Sequence, residues 1–168
     1  MPEALGADDA ALPELSDVPA LSTSVEVGSL TELRAASAPT YVPEARAWLV
    51  VLTEQEAEAF AATADESLVA GLEHGVLALW QKCPHLGCRV PFCDSSGWFE
   101  CMCHGSMYNR AGEHRGGPGP RGLDAHPVVV VDDVVTIDVG SVVRGFPVGT
   151  VVLKQAPSGP HCVGDADY

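Results

Sequence analysis

Two short segments containing cysteine and histidine lie close together near the middle of the sequence. Residues 83–88 are Cys-Pro-His-Leu-Gly-Cys, and residues 101–106 are Cys-Met-Cys-His-Gly-Ser. Each segment places a cysteine and a histidine two or three residues apart, which puts a thiolate and an imidazole on one bend of a loop. Two such loops facing each other would bring two thiolates and two imidazoles together. The pair of segments therefore predicts a metal site built by two loops.

The candidate ligands are Cys83, His85, Cys101 and His104. Zinc accepts two thiolates and two imidazoles in a tetrahedron, but a zinc finger keeps its cysteines in one pair and its histidines in another. Here each loop contributes one of each. A binuclear iron–sulfur centre can use that mixture, with two thiolates on one iron and two imidazoles on the other. From the residues alone both metals remain open, as does the purpose of the additional cysteine in each segment.

Length and composition favour one globular domain. The chain has 168 residues, of which 46% are hydrophobic, enough to build a core. The formal charge of −14 disfavours binding to nucleic acid, because phosphate backbones would be repelled. Solubility explains such a charge, and a basic protein partner is the alternative. No apolar run approaches a membrane span and no signal peptide is visible, so the sequence as written predicts a soluble chain.

Hydrophobic patterns predict mainly strands. Residues 48–52 and 76–80 are short apolar runs typical of buried strands. Between them, Thr53 and Glu56 match a capping box, which predicts a short helix to about Ala64.

The second half of the chain continues this pattern. Residues 128–131 and 134–139 predict a hairpin turning at Asp132 and Asp133, and residues 142–143 and 150–153 are further strand candidates. Glycine and proline are so frequent in residues 112–122 that we expect a shaped loop without regular structure there.

The double motif Cys-x-His-x-Gly-Cys and Cys-x-Cys-His-Gly-Ser resembles the signature of Rieske iron–sulfur proteins, specifically the quinol–cytochrome c reductase branch. The resemblance covers about residues 76–139. It implies an all-β fold, a Rieske-type antiparallel β-sandwich with a small cluster-binding subdomain built from two loops. It also implies one Rieske-type [2Fe-2S] cluster, with Cys83 and Cys101 on one iron and His85 and His104 on the other.

The resemblance gives the additional cysteines a role. It implies a disulfide bond between Cys88 and Cys103 that joins the two loops; two free buried thiols are the alternative. The ferredoxin-like Rieske proteins of ring-hydroxylating oxygenases lack this pair. With four of the six cysteines assigned, Cys93 and Cys162 are left. We expect them to form a second disulfide bond that ties the C-terminal tail to the cluster subdomain. Free thiols remain the alternative for that pair as well.

Four further residues match positions near the cluster in this family. Ser106 and Tyr108 correspond to hydroxyl donors to a bridging sulfur and to a ligand sulfur, which raise the reduction potential. Leu86 corresponds to the residue that shields the cluster and contacts the quinone pocket. Pro118 lies in a Gly-Pro-Gly-Pro segment that resembles the family's proline loop. Without the resemblance, these residues would be an ordinary loop serine, a core tyrosine and a turn.

Composition and the resemblance together predict three parts of the chain. Residues 1–24 are expected to be a flexible leader or hinge, residues 25–154 the Rieske domain with its cluster-binding subdomain at about 81–122, and residues 155–168 a C-terminal tail. Members of this branch usually carry an N-terminal membrane anchor. Because the sequence shows none, we expect a soluble fragment of a longer subunit or a chain held to the membrane only by other subunits.

The function implied is that of a redox subunit rather than a complete enzyme. His85 or His104 would accept a proton from quinol while the cluster accepts an electron, with the family favouring the second-loop histidine. The electron donor is then quinol bound to a cytochrome b-type subunit, and the acceptor is a c-type cytochrome of a respiratory chain. The disulfide bond places the protein on the extracytoplasmic face of a bacterial-type energy-transducing membrane.

Three alternatives come from other classes. The chain could relay electrons as the small Rieske subunit of a molybdenum oxidoreductase of the arsenite oxidase type. It could serve an oxygenase as a Rieske ferredoxin, which the presence of Cys88 and Cys103 disfavours. It could also be a zinc-stabilised binding module without a redox role.

Overall fold

The computed structural model describes residues 23–164, so the leader up to residue 22 and the last four residues of the tail lie outside the described residues. Within the described range the chain is mostly β-structure. Its strands are β1 (Ser24–Ser29), β2 (Thr40–Val42), β3 (Ala47–Val51), β4 (Val76–Trp80), β5 (Phe92–Cys93), β6 (Trp98–Glu100), β7 (Met107–Tyr108), β8 (His114–Gly116), β9 (Ala125–His126), β10 (Val128–Val131) and β11 (Val134–Asp138). Its helices are α1 (Leu30–Ala35), α2 (Glu54–Ala61) and α3 (Val69–Leu72), with a 3₁₀ turn at Glu66–Leu68.

The strands form three antiparallel sheets. The first sheet has the order β1-β11-β10, the second β2-β3-β4-β9 and the third β5-β6-β7-β8. The first two sheets share one hydrophobic core, in which Val135 and Ile137 of β11 pack with Leu49 of β3. These two sheets are the β-sandwich expected from the sequence. The third sheet is the small subdomain that carries the candidate site.

Strand β4 connects the sandwich to the subdomain. Its residues alternate between two cores: Val76 and Ala78 pack into the sandwich, and Leu77 and Leu79 pack into a second core shared with the third sheet. A strand that is buried on both faces reads as a continuous apolar run, which explains why its sequence shows no polar alternation. Because β4 ends at Trp80, the chain enters the first candidate loop from a strand fixed on both sides.

Several predicted elements are confirmed. Strand β4 has the predicted bounds, and the capping box is present because Glu56 N donates to Thr53 Oγ1 while Thr53 N donates to the Glu56 carboxylate. The hairpin of β10 and β11 turns at Asp132 and Asp133 with φ of 47° and 68°. Two consecutive positive φ values match the twist of a two-residue hairpin, and aspartate tolerates them better than most residues.

Three expectations about the later chain are wrong. Residues 142–143 form no strand; Val143 makes only an isolated bridge to Ala125. Residues 150–153 form no strand either, because the amides of Val152 and Leu153 donate to the carboxylate of Glu113 instead of to a neighbouring strand. The stretch 112–122 does contain regular structure, since β8 pairs with β7 before the glycine- and proline-rich part begins.

Helix α1 was not predicted. The Ser29 hydroxyl accepts hydrogen bonds from the amides of Thr31 and Glu32, and Leu30 and Leu33 are buried. Six residues hold fewer than two turns, which is too short for helical periodicity to emerge from the sequence.

Candidate metal centre

The two loops that follow β4 and β6 have the same backbone hydrogen-bonding pattern. In the first, Cys83 N donates to Cys88 O at 2.8 Å and Gly87 N donates to Cys83 O at 2.9 Å. In the second, Cys101 N donates to Ser106 O at 2.8 Å and Gly105 N donates to Cys101 O at 2.9 Å. The two loops are therefore equivalent turns that each begin with a cysteine.

Both turns require a glycine at the fifth position. Gly87 has φ of 84° and Gly105 has φ of 79°. A side chain with a Cβ rarely adopts this left-handed conformation, so glycine closes each turn at little cost. The motif spacing thus reflects the backbone geometry of the loops as well as the choice of ligands.

The structure brings the four candidate ligands to one end of the third sheet. Cys83 and Cys101 are buried free thiols, and the other four cysteines are in disulfide bonds. The imidazole rings of His85 and His104 lie with centroids 5.0 Å apart and planes at 88°. His85 is half-buried and His104 is exposed. The thiols thus lie inside the protein, and the imidazoles lie toward its surface.

The disulfide bond between Cys88 and Cys103 joins the ends of the two loops. The sulfur atoms of Cys88, Cys101 and Cys103 lie within 4.8 Å of one another. Because two of these sulfurs are covalently paired, only Cys101 of the three can act as a thiolate ligand. A second disulfide bond joins Cys93 of β5 to Cys162 in the C-terminal segment.

Burial governs the acid–base chemistry of the thiols. Burial raises the pKa of the Cys101 thiol, and the neighbouring sulfur of Cys83 raises it further. A buried thiol with a raised pKa, such as that of Cys101, stays protonated unless a cation stabilises its thiolate.

Two buried hydroxyl groups belong to the region around these thiols, one beside a sulfur and one in the turn that begins at Cys101. The Tyr108 hydroxyl is 3.4 Å from Cys83 Sγ, and burial raises the pKa of the Tyr108 phenol. Ser106 is fully buried, and its Oγ has no hydrogen-bond partner of good geometry within residues 23–164. A buried hydroxyl without a partner is costly, so it indicates an acceptor belonging to a bound group.

The proline loop, residues 117–120, covers these hydroxyls. A Cβ on Gly117 would lie 2.5 Å from Gly105 O, and a Cβ on Gly119 would lie 2.6 Å from the Tyr108 hydroxyl. Any side chain at either position would push the loop off the site. His114 Nε2 lies 3.0 Å from Gly117 O, and this contact fixes the start of the loop. Pro118 is exposed at the tip of this loop.

The open face of the site is apolar. Leu86 is 72% exposed and Met102 is 61% exposed, one on each ligand loop. Large apolar side chains with this exposure, one on each candidate loop, are typical of a contact surface for another molecule.

The sequence did not reveal Glu100, which directly precedes Cys101. Its side chain is fully buried, and it accepts hydrogen bonds from Ser96, His161 and the amides of Cys162 and Val163. Burial acts to raise the pKa of Glu100, but these hydrogen bonds outweigh burial and hold the pKa below its ordinary value. An acidic residue in the otherwise apolar strand Trp-Phe-Glu was the available signal.

Residues 152–163, called here the C-terminal strap, fasten the third sheet without forming a strand. The strap contacts the Glu113 carboxylate through the amides of Val152 and Leu153, and the Gln155 side chain donates to Gly97 O. Further along, Ser158 N donates to Ser96 O. The strap therefore crosses the subdomain from Glu113 to Glu100 and supports the strand that leads into the second loop.

One histidine outside the candidate ligand set, His126, is buried in the fold. His126 is 2% exposed, and its ring lies 5.8 Å from that of Trp80. Its Nδ1 lies 2.7 Å from Ser141 O. This ring contributes to packing beneath the first loop.

These residues suit a metal–sulfur group. Two buried thiols, two imidazoles near the surface, a hydroxyl lacking a partner and a tyrosine hydroxyl beside a sulfur together supply ligands and hydrogen-bond donors. The Ser106 hydroxyl interacts with that of Tyr108 without a hydrogen bond of good geometry, and a group that carries its own sulfide would provide a better acceptor.

A sequence profile of the Rieske [2Fe-2S] domain matches residues 24–127. The chain is 53% identical over 68 residues to the ubiquinol-cytochrome c reductase iron-sulfur subunit of Rhodobacter capsulatus, covering 38% of this chain and 34% of the relative. It is 43% identical over 70 residues to the cytochrome b6-f complex iron-sulfur subunit of Synechococcus elongatus, covering 42% and 37%. The matched part thus spans about a third of the length of these curated relatives.

Solved structures with a similar arrangement include the soluble domain of the Rieske protein II from Sulfolobus acidocaldarius. That likeness has a TM-score of 0.49 at 18% identity and covers 80% of this chain and 84% of the other. The cyanobacterial plasma membrane Rieske protein from Synechocystis has a TM-score of 0.46 at 22% identity, with coverage of 67% and 97%. Within residues 23–164, no helix has the length and apolar character needed to cross a membrane.

Proposed function

Because this chain belongs to the Rieske [2Fe-2S] domain family, we propose that it is the electron-transfer head of a quinol–cytochrome c reductase of the cytochrome bc type. The observation that carries the proposal is a site with two buried thiols inside and two imidazoles toward the surface, tied by the disulfide bond between its loops. The matched relatives are iron–sulfur subunits of a ubiquinol–cytochrome c reductase and of a cytochrome b6-f complex, which supports the assignment.

The ligand assignment is part of this proposal. Cys83 and Cys101 would hold the inner iron of the [2Fe-2S] cluster, and His85 and His104 the outer iron. The bound cluster supplies a one-electron acceptor close to the protein surface. Ser106 and Tyr108 would donate hydrogen bonds to its sulfur atoms, which favours the more negative, reduced state.

The exposed His104 is the better candidate to meet quinol. Its ring nitrogen that does not bind iron would accept a hydrogen bond from a quinol hydroxyl and then take up the proton. His85 is half-buried and would be less accessible to such a substrate. Leu86 and Met102 would exclude water around the bound ring and line the contact with a cytochrome b-type subunit.

The location and the electron acceptor follow from the same proposal. Two disulfide bonds favour an oxidising compartment, which supports the extracytoplasmic face of an energy-transducing membrane. The electron would pass from the cluster to a c-type cytochrome. Membrane association would be provided by other subunits of the complex or by an anchor.

The test is a redox titration across pH combined with reduction by quinol. We expect the midpoint potential to fall as pH rises through the alkaline range, because oxidation lowers the pKa of an iron-bound imidazole. We expect quinol bound to a Rieske-depleted bc-type complex to reduce the added protein. A pH-dependent potential without reduction by quinol would contradict quinol oxidation and favour an electron-relay subunit of a molybdenum oxidoreductase. A potential independent of pH would contradict exposed histidine ligands.

A further inference from the structure

Charge is distributed unevenly along this acidic chain. Residues 81–122 contain five of the nine lysine and arginine residues but three of the 23 aspartate and glutamate residues. Two of those three, Glu100 and Glu113, are buried and accept hydrogen bonds inside the protein. The third, Asp94, lies in the turn between β5 and β6, at the opposite end of that hairpin from Cys101. The site-bearing end is therefore basic, although the formal charge of the chain is −14.

Two cations flank the first ligand loop directly. Lys82 and Arg89 are partners in an isolated antiparallel bridge at the base of residues 83–88, and both are exposed. We call this pair the basic collar. Like charges placed opposite each other across a bridge are unfavourable, so the pair is not explained by stability of the bridge.

Each member of the collar is held in place by an aromatic ring. Lys82 Nζ lies 5.0 Å from the ring centroid of Trp80, and Arg89 Cζ lies 4.7 Å from that of Tyr41. Within residues 23–164, neither cation forms a salt bridge with a carboxylate. The rings fix the positions of the cations without neutralising them.

Other charged groups around the collar largely cancel. Arg121 shares a groove of about 330 Å³ with Lys82 and His85, but its guanidinium is paired with Asp124 at 2.7 Å. The turn between β2 and β3 contacts the residue before Lys82, because Arg46 O accepts a hydrogen bond from Gln81 N. This turn carries one negative charge, Glu44, and one positive charge, Arg46. Arg110 is paired with Glu56, and Arg115 stacks on Trp98 and donates to Gln155 O of the strap. Beside the first candidate loop, the cations without a salt bridge among residues 23–164 are therefore those of the collar.

We propose that the basic collar docks the site-bearing end against an acidic protein surface, whose carboxylates pair with Lys82 and Arg89. This inference rests on the proposed function, because it assigns the chemistry of the redox partner's contact surface. At physiological ionic strength charges are screened beyond about 8 Å, so the local charge governs contact. At longer range an acidic partner repels the acidic body of this protein. This repulsion orients the molecule so that its basic end faces the partner.

A protein partner explains the position of the collar better than a lipid surface. The collar lies beside His85 and Leu86, at the face where an electron must enter or leave. The net charge of the chain alone favours a basic partner. At the site-bearing end, the two cations of the collar favour an acidic partner instead.

The first test measures the local charge by electron transfer. Reduced holoprotein is oxidised by ferricyanide, an anion, and separately by tris(phenanthroline)cobalt(III), a cation, while ionic strength rises from about 0.1 M, where charges are already screened beyond about 10 Å, to about 1 M. The collar predicts that the ferricyanide rate falls, by about threefold or more, and that the cobalt rate rises. If the ferricyanide rate rises with salt, as net charge alone requires, the proposal is overturned.

Charge-matched variants locate the effect. In Lys82→Gln/Arg89→Gln we expect most of the ferricyanide salt dependence to disappear. The control is Arg34→Gln/Lys154→Gln, which removes the same charge from exposed positions on α1 and the strap and should retain the wild-type dependence. Equal effects of the two double variants would overturn the assignment to the collar.

A binding measurement that needs no electron transfer separates this inference from the proposed function. We expect labelled polyglutamate to bind the holoprotein at about 0.1 M ionic strength, by fluorescence anisotropy, and to bind the collar variant at least about fivefold more weakly. Vesicles containing phosphatidylglycerol should not bind. Binding to the vesicles but not to polyglutamate would overturn the proposal in favour of a lipid surface. Collar-dependent binding with no reduction by quinol would leave the collar standing and contradict the proposed function alone.

Discussion

In the proposed function, the Ser106 hydroxyl would link the fold to the redox chemistry of the cluster. Its hydroxyl is enclosed between the second ligand loop and the proline loop, where Gly117 and Gly119 leave room for no other side chain. Since no partner of good geometry exists among residues 23–164, the hydroxyl hydrogen is available to a sulfur atom of the bound cluster. Such a bond is stronger in the reduced state, whose charge is more negative.

Replacing Ser106 by alanine should lower the midpoint potential by about 60–130 mV. This range corresponds to a hydrogen bond to a charged group of about 1.5–3 kcal/mol, at 59 mV per tenfold change for one electron. Protein-film voltammetry measures the shift, and the exposed Ser37→Ala serves as the control. An unchanged potential in Ser106→Ala with the cluster retained would show that the hydroxyl does not donate to it.

Asp124 supports the first loop from the side of the sandwich. Its carboxylate accepts two hydrogen bonds from Arg121 and one from Gly145 N. Burial acts to raise the pKa of Asp124, but these hydrogen bonds and the charge of Arg121 outweigh it, so the pKa lies below its ordinary value. A carboxyl group with a lowered pKa stabilises the fold above about pH 4 and loses that contribution as the pH falls through its folded-state pKa.

We therefore expect Asp124→Asn to lower the free energy of unfolding by about 1–3 kcal/mol at pH 7. The difference from wild type should shrink as the pH falls below about 4, because Asp124 is protonated first in the unfolded state and, at its lower pKa, in the folded state. Urea unfolding at pH 7, 4 and 3 measures this difference. Asp94→Asn, at an exposed turn, should show no such trend. A difference between wild type and Asp124→Asn that is equally large at pH 7 and pH 3 would contradict an ionised role for Asp124.

Among the elements, those with local signals could be predicted from the sequence. β4 is an uninterrupted apolar run, the start of α2 has a capping box, and the β10–β11 hairpin has two valine runs around Asp132 and Asp133. The two ligand loops could be located because cysteine, histidine and glycine recur there at fixed spacing.

Elements that depend on distant partners could not be predicted. The apolar residues 150–153 have the composition of a strand, yet their amides are taken by Glu113, about 40 residues earlier. Glu100 gave little sequence signal because its partners, Ser96 apart, lie in the C-terminal strap. In these segments, hydrogen bonds to a buried carboxylate take the place of strand pairing. Local sequence patterns do not reveal such long-range contacts.

The two disulfide bonds should have separable effects. Cys93→Ser/Cys162→Ser releases the strap, and because this bond spans 69 residues we expect unfolding to become easier by about 2–4 kcal/mol with little change in potential. Cys88→Ser/Cys103→Ser releases the ligand loops, so we expect faster loss of the cluster. Denaturant unfolding measures stability, and the decay of visible absorbance measures the cluster. Identical decay rates in the two double variants would contradict this division.

As a whole, the molecule is polarised in both structure and charge. The sandwich forms an acidic body, and the third sheet presents imidazoles, apolar side chains and the basic collar at one end. Net charge could be counted from the sequence, but the exposed charge at the site could not. Knowing it required the positions of Lys82 and Arg89, which stack on aromatic rings and form no salt bridge among residues 23–164.

The central claim is that two thiols and two imidazoles of this chain hold a [2Fe-2S] cluster. It is tested most directly by pulsed EPR of the dithionite-reduced protein, labelled with ¹⁵N-histidine, together with iron, zinc and acid-labile sulfide analysis. We predict equal amounts of iron and labile sulfide, and strong coupling of the electron spin to nitrogens of two histidines, reduced to one or none in His85→Ala or His104→Ala. A colourless protein that contains zinc and no labile sulfide, or a cluster whose spin couples to no histidine nitrogen, would contradict the account.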